Sequence, residues 1–460
     1  MNKAREEEIQ KFWQQHALYE RLKKKLKDSR PFYFSDGPPY ATGDIHMGTA
    51  WNKILKDAYI RFWRMMGFNV WDQPGYDTHG LPIENKVEKQ LQLRSKNDIE
   101  KMGIEAFILE CKKFSTKFIS TMNEQFANLG IWMSWDTPYL TLTNDYIESA
   151  WNTFKIAYEK KLLYNDLYPV HVCSHCETAV AYSEIEYKKV TDPAIYVKFP
   201  VKGKHNEFLV IWTTTPWTLP ANTGIMVHPD FLYARVKVGD QIFIIAKELV
   251  ENVMEKTGAT YTEIETVKGR KLDGLQYEHP LRNLFEFQKN VKNAHRIVLS
   301  ERFVTAEDGT GLVHTAPGHG QEDYMVGKEK GLPIISPLHM NGTFGKGSGP
   351  LEGMFAKHAD RKIIDLLKEG GMLLAEEKIT HEYPQCWRCN SSLLFLSVPQ
   401  WFFAVRKIQD KLIKENEKVQ WHPEWAQKRF FNWLQSLGDW PISRQRYWGI
   451  PLPIWICDTC

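Results

Sequence analysis

The chain contains 460 residues, 43% of them hydrophobic, which allows about three domains at roughly 150 residues per domain. Its formal net charge of +3 is too small to indicate nonspecific nucleic-acid binding, although a local groove could still be basic. The sequence has no signal-peptide pattern, no apolar run long enough to span a membrane and no internal repeat. We therefore expect a soluble cytoplasmic protein that does not bind a membrane.

A loop that binds phosphate is predicted near the start of the chain. Apolar residues 32–34 indicate a short buried strand, and the prolines and glycines of residues 36–43 enforce a loop after it, with Asp44 as a candidate helix N-cap. Apolar side chains then recur at every fourth residue from Ile54 to Met66. This period predicts an amphipathic helix.

The start of that helix suits the phosphates of a nucleotide. Unpaired N–H groups and the positive end of the helix dipole favour an anion there. His46 can donate a hydrogen bond to a phosphate oxygen, and Gly48 has no Cβ, so a ring or phosphate can approach its backbone. From these residues alone, a purely structural role for His46 is an equally good interpretation.

A second strand and a second polar loop follow the helix. Residues 68–71 predict the strand, and residues 74–80 predict the loop. Strand, loop, helix and strand make a βαβ unit of an open parallel sheet, in which ligands bind beyond the carboxyl ends of the strands. The two loops should therefore converge on one crevice.

Six of the seven cysteines fall into three Cys-x2-Cys pairs. One such pair is weak evidence, because redox motifs share the spacing, but four thiolates suit a tetrahedral zinc ion. If the first two pairs share one zinc, the residues between them form an inserted domain whose ends are held together. The seventh cysteine, Cys111, is predicted to be buried on a helix. The candidate metal ligands are Cys173 and Cys176, Cys386 and Cys389, and Cys457 and Cys460, of which the last pair would be half of a second zinc site.

The insert is predicted to be rich in β-strands. Apolar and β-branched runs at residues 194–199, 208–212 and 241–245 are separated by turn residues, a pattern unlike that of the helical N-terminal region. The three consecutive threonines at residues 213–215 follow the second run. Taken alone, they would be interpreted as β-branched residues that end a strand.

Three long segments resemble the class I aminoacyl-tRNA synthetases. Residues 38–49 are similar to the HIGH signature of that family, and residues 75–84 and 439–451 are similar to segments of its isoleucine enzymes. The resemblance spans the whole chain, and the valine and leucine enzymes fit less well at the last two segments. Thr49 stands where the family usually has histidine, so this position keeps a hydroxyl but loses a group that can carry positive charge.

The resemblance implies an ATP-dependent ligase that activates L-isoleucine, with Mg²⁺ on the phosphates, and transfers it to tRNA(Ile). We expect a monomer that binds no DNA. Asp77 would bind the substrate ammonium group with help from the carbonyl of Pro38. The resemblance gives as catalytic residues His46, Gly48 and Thr49, as ATP-binding residues Gly43, His46 and Gly48, and as substrate-binding residues Pro38, Asp77, His79 and Glu84.

The resemblance also implies hydrolytic editing of Val-tRNA(Ile). One missing methylene is worth only about 1 to 3 kcal/mol, and the isoleucine enzyme is itself the usual example of this limit. Residues 213–222 and 311–324 are similar to the two editing loops of the family. Their hydroxyls and amides can hold a water and an oxyanion, Asp323 can anchor an ammonium group, and His314 would exclude isoleucine by bulk. The candidate editing residues are Thr213, Thr214, Thr215, Asn222, His314, His319 and Asp323.

The expected fold class is α/β. A Rossmann-like catalytic domain with a parallel sheet would be interrupted by a β-rich editing domain, with a zinc-ribbon module at the base of the insertion. The lysine-rich second signature of the family, Lys-Met-Ser-Lys-Ser, is absent from the sequence, so we expect the N-terminal portion of a longer protein, able to edit but incomplete for synthesis. The expected domains are the N-terminal helix with the first half of the catalytic domain at 1–160, the zinc module at 161–190 and 381–400, the editing domain at 191–380, and the start of the second catalytic half at 401–460.

Three other functions fit parts of the sequence. A valine enzyme is the nearest competitor. A stand-alone hydrolase of mischarged tRNA would explain the insert but not residues 30–90. A zinc-ribbon protein that binds nucleic acid predicts basic residues near the cysteine pairs, and Glu177, Glu184 and Glu186 argue against it.

Overall fold

The computed structural model describes residues 3–455 and residue 457. The chain divides into two compact units, the first comprising Met1–Leu162 with Arg446–Cys460 and the second comprising Leu163–Gln445. Every helix within the described residues is too short or too polar to cross a membrane.

The first unit is mainly helical and contains two short pairs of parallel strands. Its helices are α1 Lys3–Gln15, α2 Leu18–Leu26, α3 Met47–Met65, α4 Leu81–Leu91, α5 Lys96–Met102, α6 Ile104–Asn128 and α7 Asn144–Glu159. Its strands are β1 Pro31–Tyr33, β2 Asn69–Trp71, β3 Gly75–Tyr76 and β4 Tyr139–Leu140. Strand β1 pairs in parallel with β2, and β3 pairs in parallel with β4. The predicted strand, helix and strand are therefore confirmed as β1, α3 and β2.

The helix predicted from the apolar period is confirmed as α3, but its buried face is mainly charged. Four residues of this helix are buried, three of them charged: Lys53, Asp57, Ile60 and Arg64. The buried cations have carboxylate partners, Asp36 for Lys53 and Asp72 for Arg64, which burial of a charge requires. Of the apolar residues at this period, Ile54, Phe62 and Met66 are exposed, as are their neighbours Leu55 and Tyr59, whereas the neighbouring Trp63 is half-buried.

The strand before that helix also differs from its prediction. Residues 32–34 were expected to form a buried strand, but Tyr33 is 78% exposed and Phe32 is half-buried. Pro31 and Tyr33 are both exposed and alternate with half-buried Phe32, so one face of this strand is exposed to solvent.

The second unit is built on two sheets. Its helices are α8 Val250–Thr257, α9 Glu286–Lys289, α10 Gln321–Lys330, α11 Ala356–Glu369, α12 Gln409–Asn416 and α13 Trp425–Ser436. Its strands are β5 Leu163–Cys173, β6 Thr178–Val180, β7 Ile185–Pro200, β8 Glu207–Thr213, β9 Gly224–Val227, β10 Leu232–Val238, β11 Gln241–Ala246, β12 Thr262–Lys268, β13 Arg296–Leu299, β14 Leu312–Thr315, β15 Leu373–Cys386, β16 Leu393–Phe403 and β17 Trp440–Pro441. The three strands predicted in the insert are confirmed as parts of β7, β8 and β11.

Nine strands form a mixed sheet in the order β12-β10-β11-β8-β14-β9-β13, with β7 joined to β8 and β15 joined to β7. The other sheet has the order β17-β16-β5-β6. Strands β8 and β14 are parallel neighbours, with Val313 opposite Trp212. Their carboxyl ends, and the loops that follow, therefore meet at one edge of the large sheet.

Pairing within this unit also brings the ends of the insert together. Strands β7 and β15 are antiparallel over most of their length, and Cys386 lies opposite Ile185. Strands β5 and β16 are antiparallel as well, with Cys173 opposite Leu393. Residues 401–445 belong to this unit by their contacts, so the expected boundary at residue 401 does not coincide with the division between the units.

Candidate functional site

The two polar loops of the first unit lie side by side, as the βαβ unit predicts. The backbone N–H of Asp77 donates to the carbonyl of Pro39 at 2.9 Å, and Tyr40 forms a parallel bridge with Asp77. Residues 36–41 follow β1 and residues 77–80 follow β3, so both loops leave the carboxyl ends of parallel strands. This arrangement brings Pro38 and Asp77 to one place in the fold.

His46, and not Asp44 as predicted, is the N-cap of α3. The imidazole Nδ1 accepts hydrogen bonds from the backbone N–H groups of Gly48 at 3.1 Å and Thr49 at 3.3 Å. Its Nε2 lies 2.9 Å from the hydroxyl of Thr49. Asp44 instead accepts a hydrogen bond from Gln125. The exposed histidine ring therefore occupies the helix N–H groups that were predicted to bind phosphate.

A buried carboxylate that the sequence analysis did not single out joins the two loops to α3. Asp36 accepts hydrogen bonds from Lys53, from Lys56 at 2.7 Å and from the backbone N–H of Gly75 at 3.1 Å. The carbonyl of Asp36 accepts from the hydroxyl of Tyr139 at 2.5 Å. Burial lowers the pKa of Lys53, and the adjacent Asp36 opposes that shift. No spacing rule links an aspartate in a loop to these partners, so only the fold reveals the cluster.

Asp77 and His79 sit in a desolvated loop. Burial raises the pKa of Asp77, while its hydrogen bond from the backbone N–H of His79 opposes the shift. Burial lowers the pKa of His79 to about 4, so its ring is neutral near pH 7. The ring packs edge-on against Trp448 with centroids 4.9 Å apart. Within residues 3–455 and 457, the buried Nδ1 of His79 has no hydrogen-bond partner.

Glu84, which the resemblance assigns to substrate binding, has a carboxylate that is occupied by its own chain. One oxygen accepts from the guanidinium of Arg446 at 2.5 Å, and the other accepts from the backbone N–H groups of Tyr447 and Trp448 at 3.0 and 2.7 Å. Arg446 also pairs with Glu88. The glutamate is fully buried, so its geometry fits the anchoring of residues 446–448.

We expect Arg446→Met to destabilise the first unit by about 3 to 5 kcal/mol, because it leaves two carboxylates buried without their cation. Urea unfolding followed by tryptophan fluorescence measures this loss. The control is Lys113→Met, which removes an exposed cation paired with Glu110 and should cost no more than about 1 kcal/mol. Equal unfolding midpoints for the two variants would contradict this account.

The second unit contains a cavity of about 300 Å³ at the carboxyl ends of β8 and β14. Gly311 forms the bend before β14 with a φ of +71°, and a Cβ there would lie 2.3 Å from Cβ of Ala246. Most of the candidate editing residues line this cavity, namely Thr213, Thr214, Thr215, His314, His319 and Asp323. Asn222, the remaining candidate, is fully buried and does not line it.

The threonines form one wall with internal hydrogen bonds. The hydroxyls of Thr213 and Thr215 lie 3.3 Å apart, and the backbone N–H of Thr215 donates to the hydroxyl of Thr213 at 3.2 Å. The hydroxyl of Thr218 donates to the carbonyl of Thr215 at 2.8 Å. Strand β8 ends at Thr213, so the threonines do lie at the end of a strand. The loop that follows β14 lies opposite them and completes the cavity.

The histidines of the cavity are neutral. Burial lowers the pKa of His314 to about 3 and that of His319 to about 4. The Nδ1 of His319 donates to the carbonyl of Phe395 at 2.9 Å, which leaves Nε2 as an acceptor. In the described part of the chain, this buried Nε2 has no hydrogen-bond partner.

Asp323 is a carboxylate in a desolvated position. It lies in the first turn of α10 and accepts a hydrogen bond from the backbone N–H of Ala316 at 2.8 Å. Burial raises the pKa of Asp323 to about 7. A pKa raised in this way means that the ionised carboxylate is unfavourable without a neighbouring positive charge. Such shifts are typical of functional sites.

Several residues outside the two predicted loops form hydrogen bonds with residues 213–222, which we call the threonine peptide. Gln288 donates to the carbonyls of Pro220 and Asn222 at 2.7 and 2.9 Å. His279 donates to the carbonyl of Leu219 at 2.8 Å, and Asp360 accepts from the backbone N–H of Trp217 at 2.8 Å. None of these three residues is predicted from the sequence. Their polar character in apolar surroundings is the only signal that they carry.

The first two cysteine pairs meet in space. The sulfurs of Cys173, Cys176, Cys386 and Cys389 all lie within 4.8 Å of one another, and Cys173 and Cys389 are 3.4 Å apart. A tetrahedral zinc ion with Zn–S bonds of about 2.3 Å separates its sulfurs by about 3.8 Å, so this donor set fits zinc. Cys111 is buried on α6, as predicted. Cys457 is exposed, and Cys460 lies outside the described residues.

Comparison with known proteins finds relatives that all belong to one family. Residues 8–460 match the family model described as tRNA synthetases class I (I, L, M and V). The isoleucine–tRNA ligases of Pyrococcus abyssi and Pyrococcus horikoshii are each 53% identical to this chain over 98% of its length. The isoleucine–tRNA ligase of Methanocaldococcus jannaschii is 48% identical over 99% of it. The chain spans 43% of the length of the two Pyrococcus relatives and 45% of the third.

Proposed function

Because the chain belongs to the class I tRNA synthetases of the isoleucine, leucine, methionine and valine group, we propose that it carries the editing site and the nucleotide-binding loop of an isoleucine–tRNA ligase. The cavity at the ends of β8 and β14 carries this proposal, because two loops far apart in sequence supply its threonines, histidines and half-buried carboxylate. Its substrate would be Val-tRNA(Ile), hydrolysed at the ester bond.

The roles of the cavity residues follow from their protonation and contacts. Asp323 would anchor the ammonium group of the valyl ester through the carboxylate oxygen that Ala316 does not occupy. His314 is neutral and hydrogen-bonded at both ring nitrogens, so it would act as a wall that excludes isoleucine and not as a base. His319 Nε2 would accept a hydrogen bond from the substrate. The hydroxyls and amides of the threonines that line the cavity would orient the attacking water and stabilise the oxyanion.

The loops of the first unit would contribute the nucleotide-binding half of the synthetic site. His46 is exposed, so its ring can turn away from α3, and a phosphate oxygen would then accept from the N–H groups of Gly48 and Thr49. Gly43, in the loop before α3, would contribute to ATP binding. Mg²⁺ would be carried by the ATP phosphates. L-isoleucine would place its ammonium group at Asp77 and the carbonyl of Pro38, while tRNA(Ile) would accept the activated amino acid.

Two of the residues assigned to substrate binding, Glu84 and His79, would have different roles. Glu84 would position residues 446–448 instead of binding the substrate, because its carboxylate already has three donors. His79 would contribute a neutral ring beside Trp448.

The four-cysteine cluster would bind zinc as part of a zinc-ribbon module. It would lie at the base of an editing domain within residues 191–380, and residues 161–190 and 381–400 would form the module. The ion would supply structural cross-linking and no step of the reaction. Zn²⁺ and Mg²⁺ would therefore have separate roles.

The proposed editing activity is tested by single-turnover hydrolysis. We expect the purified chain to hydrolyse Val-tRNA(Ile) at least about tenfold faster than Ile-tRNA(Ile), because His314 limits the width of the cavity. The spontaneous hydrolysis of each ester serves as the baseline. Rates for Val-tRNA(Ile) at that baseline would reject the editing assignment.

Asp323→Asn tests the ammonium anchor. With a pKa of about 7, Asp323 becomes ionised as the pH rises through 7, so kcat/KM for Val-tRNA(Ile) should rise in that range after correction for spontaneous hydrolysis. The asparagine variant should lose about tenfold or more of this rate and the pH-dependent rise. An unchanged profile would remove the assignment.

The same shift has a consequence for folding stability that serves as a control. The pKa of Asp323 is raised in the folded chain, so folding stability is lost as the pH rises from the unfolded value of about 4 to about 7. Asp323→Asn should therefore unfold at a temperature equal to or above that of the parent at pH 8. A lower rate in the variant would then not be a folding defect.

Metal analysis tests the cysteine cluster. We expect about one tightly bound zinc ion per chain, and we expect Cys389→Ser to bind it much more weakly. Cys111→Ala is the matched control, because it removes a buried thiol that lies elsewhere, and it should retain the ion. A folded, metal-free parent chain would contradict the paired arrangement.

A further inference from the structure

A buried chain of hydrogen bonds leads from the editing cavity to a tyrosine that lies outside both editing loops. The hydroxyl of Tyr277 donates to Oδ1 of Asn222 at 2.5 Å. The Nδ2 of Asn222 lies 2.8 Å from Nδ1 of His314, and Nε2 of His314 lies 3.0 Å from the hydroxyl of Thr218. Tyr277 and Asn222 are buried and do not line the cavity, and their side chains reach it through the ring of His314.

The carbonyl of Gly224 determines which group donates in each hydrogen bond between Asn222, His314 and Thr218. Nδ2 of Asn222 lies 2.8 Å from the carbonyl oxygen of Gly224, which can only accept, so Nδ2 is the donating nitrogen of the amide. Its second hydrogen points to Nδ1 of His314, which must therefore accept. The proton of the neutral imidazole lies on Nε2 and is donated to Thr218.

This order determines which hydroxyl is available in the cavity. Thr218 accepts from His314 and donates its own proton to the carbonyl of Thr215. Thr218 is therefore already engaged both as donor and as acceptor. Thr218 has no second proton to donate to a water, so other threonine hydroxyls of the cavity, such as that of Thr214, would orient it.

We propose that Tyr277 and Asn222 are positioning residues of the editing site, which hold His314 as an imidazole protonated on Nε2 and fix the wall that separates valine from isoleucine. This inference rests on the proposed editing function. Tyr277 anchors the amide, and its own ring is held by edge-on packing against Phe199, with centroids 5.3 Å apart.

The tautomer is tested by NMR on the complete chain with ¹⁵N-labelled histidine, with the His314 signals assigned by their loss in His314→Gln. In the parent we expect Nδ1 to be unprotonated and Nε2 to be protonated. In Asn222→Asp an oxygen replaces the amide nitrogen, so Nδ1 should become protonated to face it. A protonated Nδ1 in the parent, or an unprotonated Nδ1 in the folded variant, would overturn the assignment.

Tyr277→Phe removes only the hydroxyl that anchors Asn222. The ratio of Val-tRNA(Ile) to Ile-tRNA(Ile) hydrolysis should fall about fivefold, the size expected for one neutral hydrogen bond. Nδ1 of His314 should stay unprotonated because Gly224 still holds the amide. The matched control is Tyr196→Phe, which removes the hydroxyl of another buried tyrosine of the same core, bonded to Glu377, and should leave the ratio unchanged.

The two measurements separate this inference from the function on which it rests. Equal selectivity in Tyr277→Phe and Tyr196→Phe would overturn the positioning role of Tyr277. If the parent hydrolyses neither ester but the NMR results follow expectation, the editing function fails and the tautomer assignment stands. The expected tautomers together with the selective loss in Tyr277→Phe support both.

Discussion

The antiparallel pairing of β7 with β15 is the constraint on which the second unit depends. These strands begin and end a long insert, and their pairing brings Cys386 opposite Ile185, beside the first cysteine pair. The entropic cost of closing a loop grows only slowly with its length, so a long insert costs little more than a short one once its ends are held. Strand β7 also pairs with β8. The same ladder therefore supports both the cysteine cluster and the sheet that carries the cavity.

The cavity itself depends on the parallel pairing of β8 with β14. Parallel strands end at the same edge of a sheet, so the threonine peptide and the loop that follows His314 face each other although they are far apart in sequence. The hydroxyls of Thr213, Thr215 and Thr218 already have protein partners, and these hydrogen bonds need not form when a substrate enters. Such preorganisation is what stabilisation of a developing oxyanion requires. Its cost is the desolvation of the half-buried Asp323 carboxylate, which raises its pKa and disfavours its ionised form.

Sequence patterns gave the parts of both sites that depend on local order, and they missed the parts that depend on distant contacts. The βαβ unit, the strands of the insert and the meeting of the two cysteine pairs all follow from periodicity, turn residues and ligand spacing. The period of α3 was correct, but it could not tell which face of the helix is covered, and charged Lys53 and Arg64 turned inward to carboxylates. Tyr277 lies far from both loops in sequence, and neither its type nor its spacing indicates a link to His314.

The two candidate sites differ in how much must change before a ligand binds. In the cavity of the second unit, the ring of His314 and the hydroxyls of Thr213 and Thr215 are already hydrogen-bonded to protein groups. At the start of α3 the acceptor for the N–H groups of Gly48 and Thr49 is the ring of His46, which is exposed and belongs to the same helix. A phosphate oxygen carries more negative charge than a neutral imidazole nitrogen and is the better acceptor at the positive end of the helix dipole. Exchange of one acceptor for the other would release the histidine to contact the phosphate, so in this loop the capping residue and the predicted catalytic residue are the same side chain.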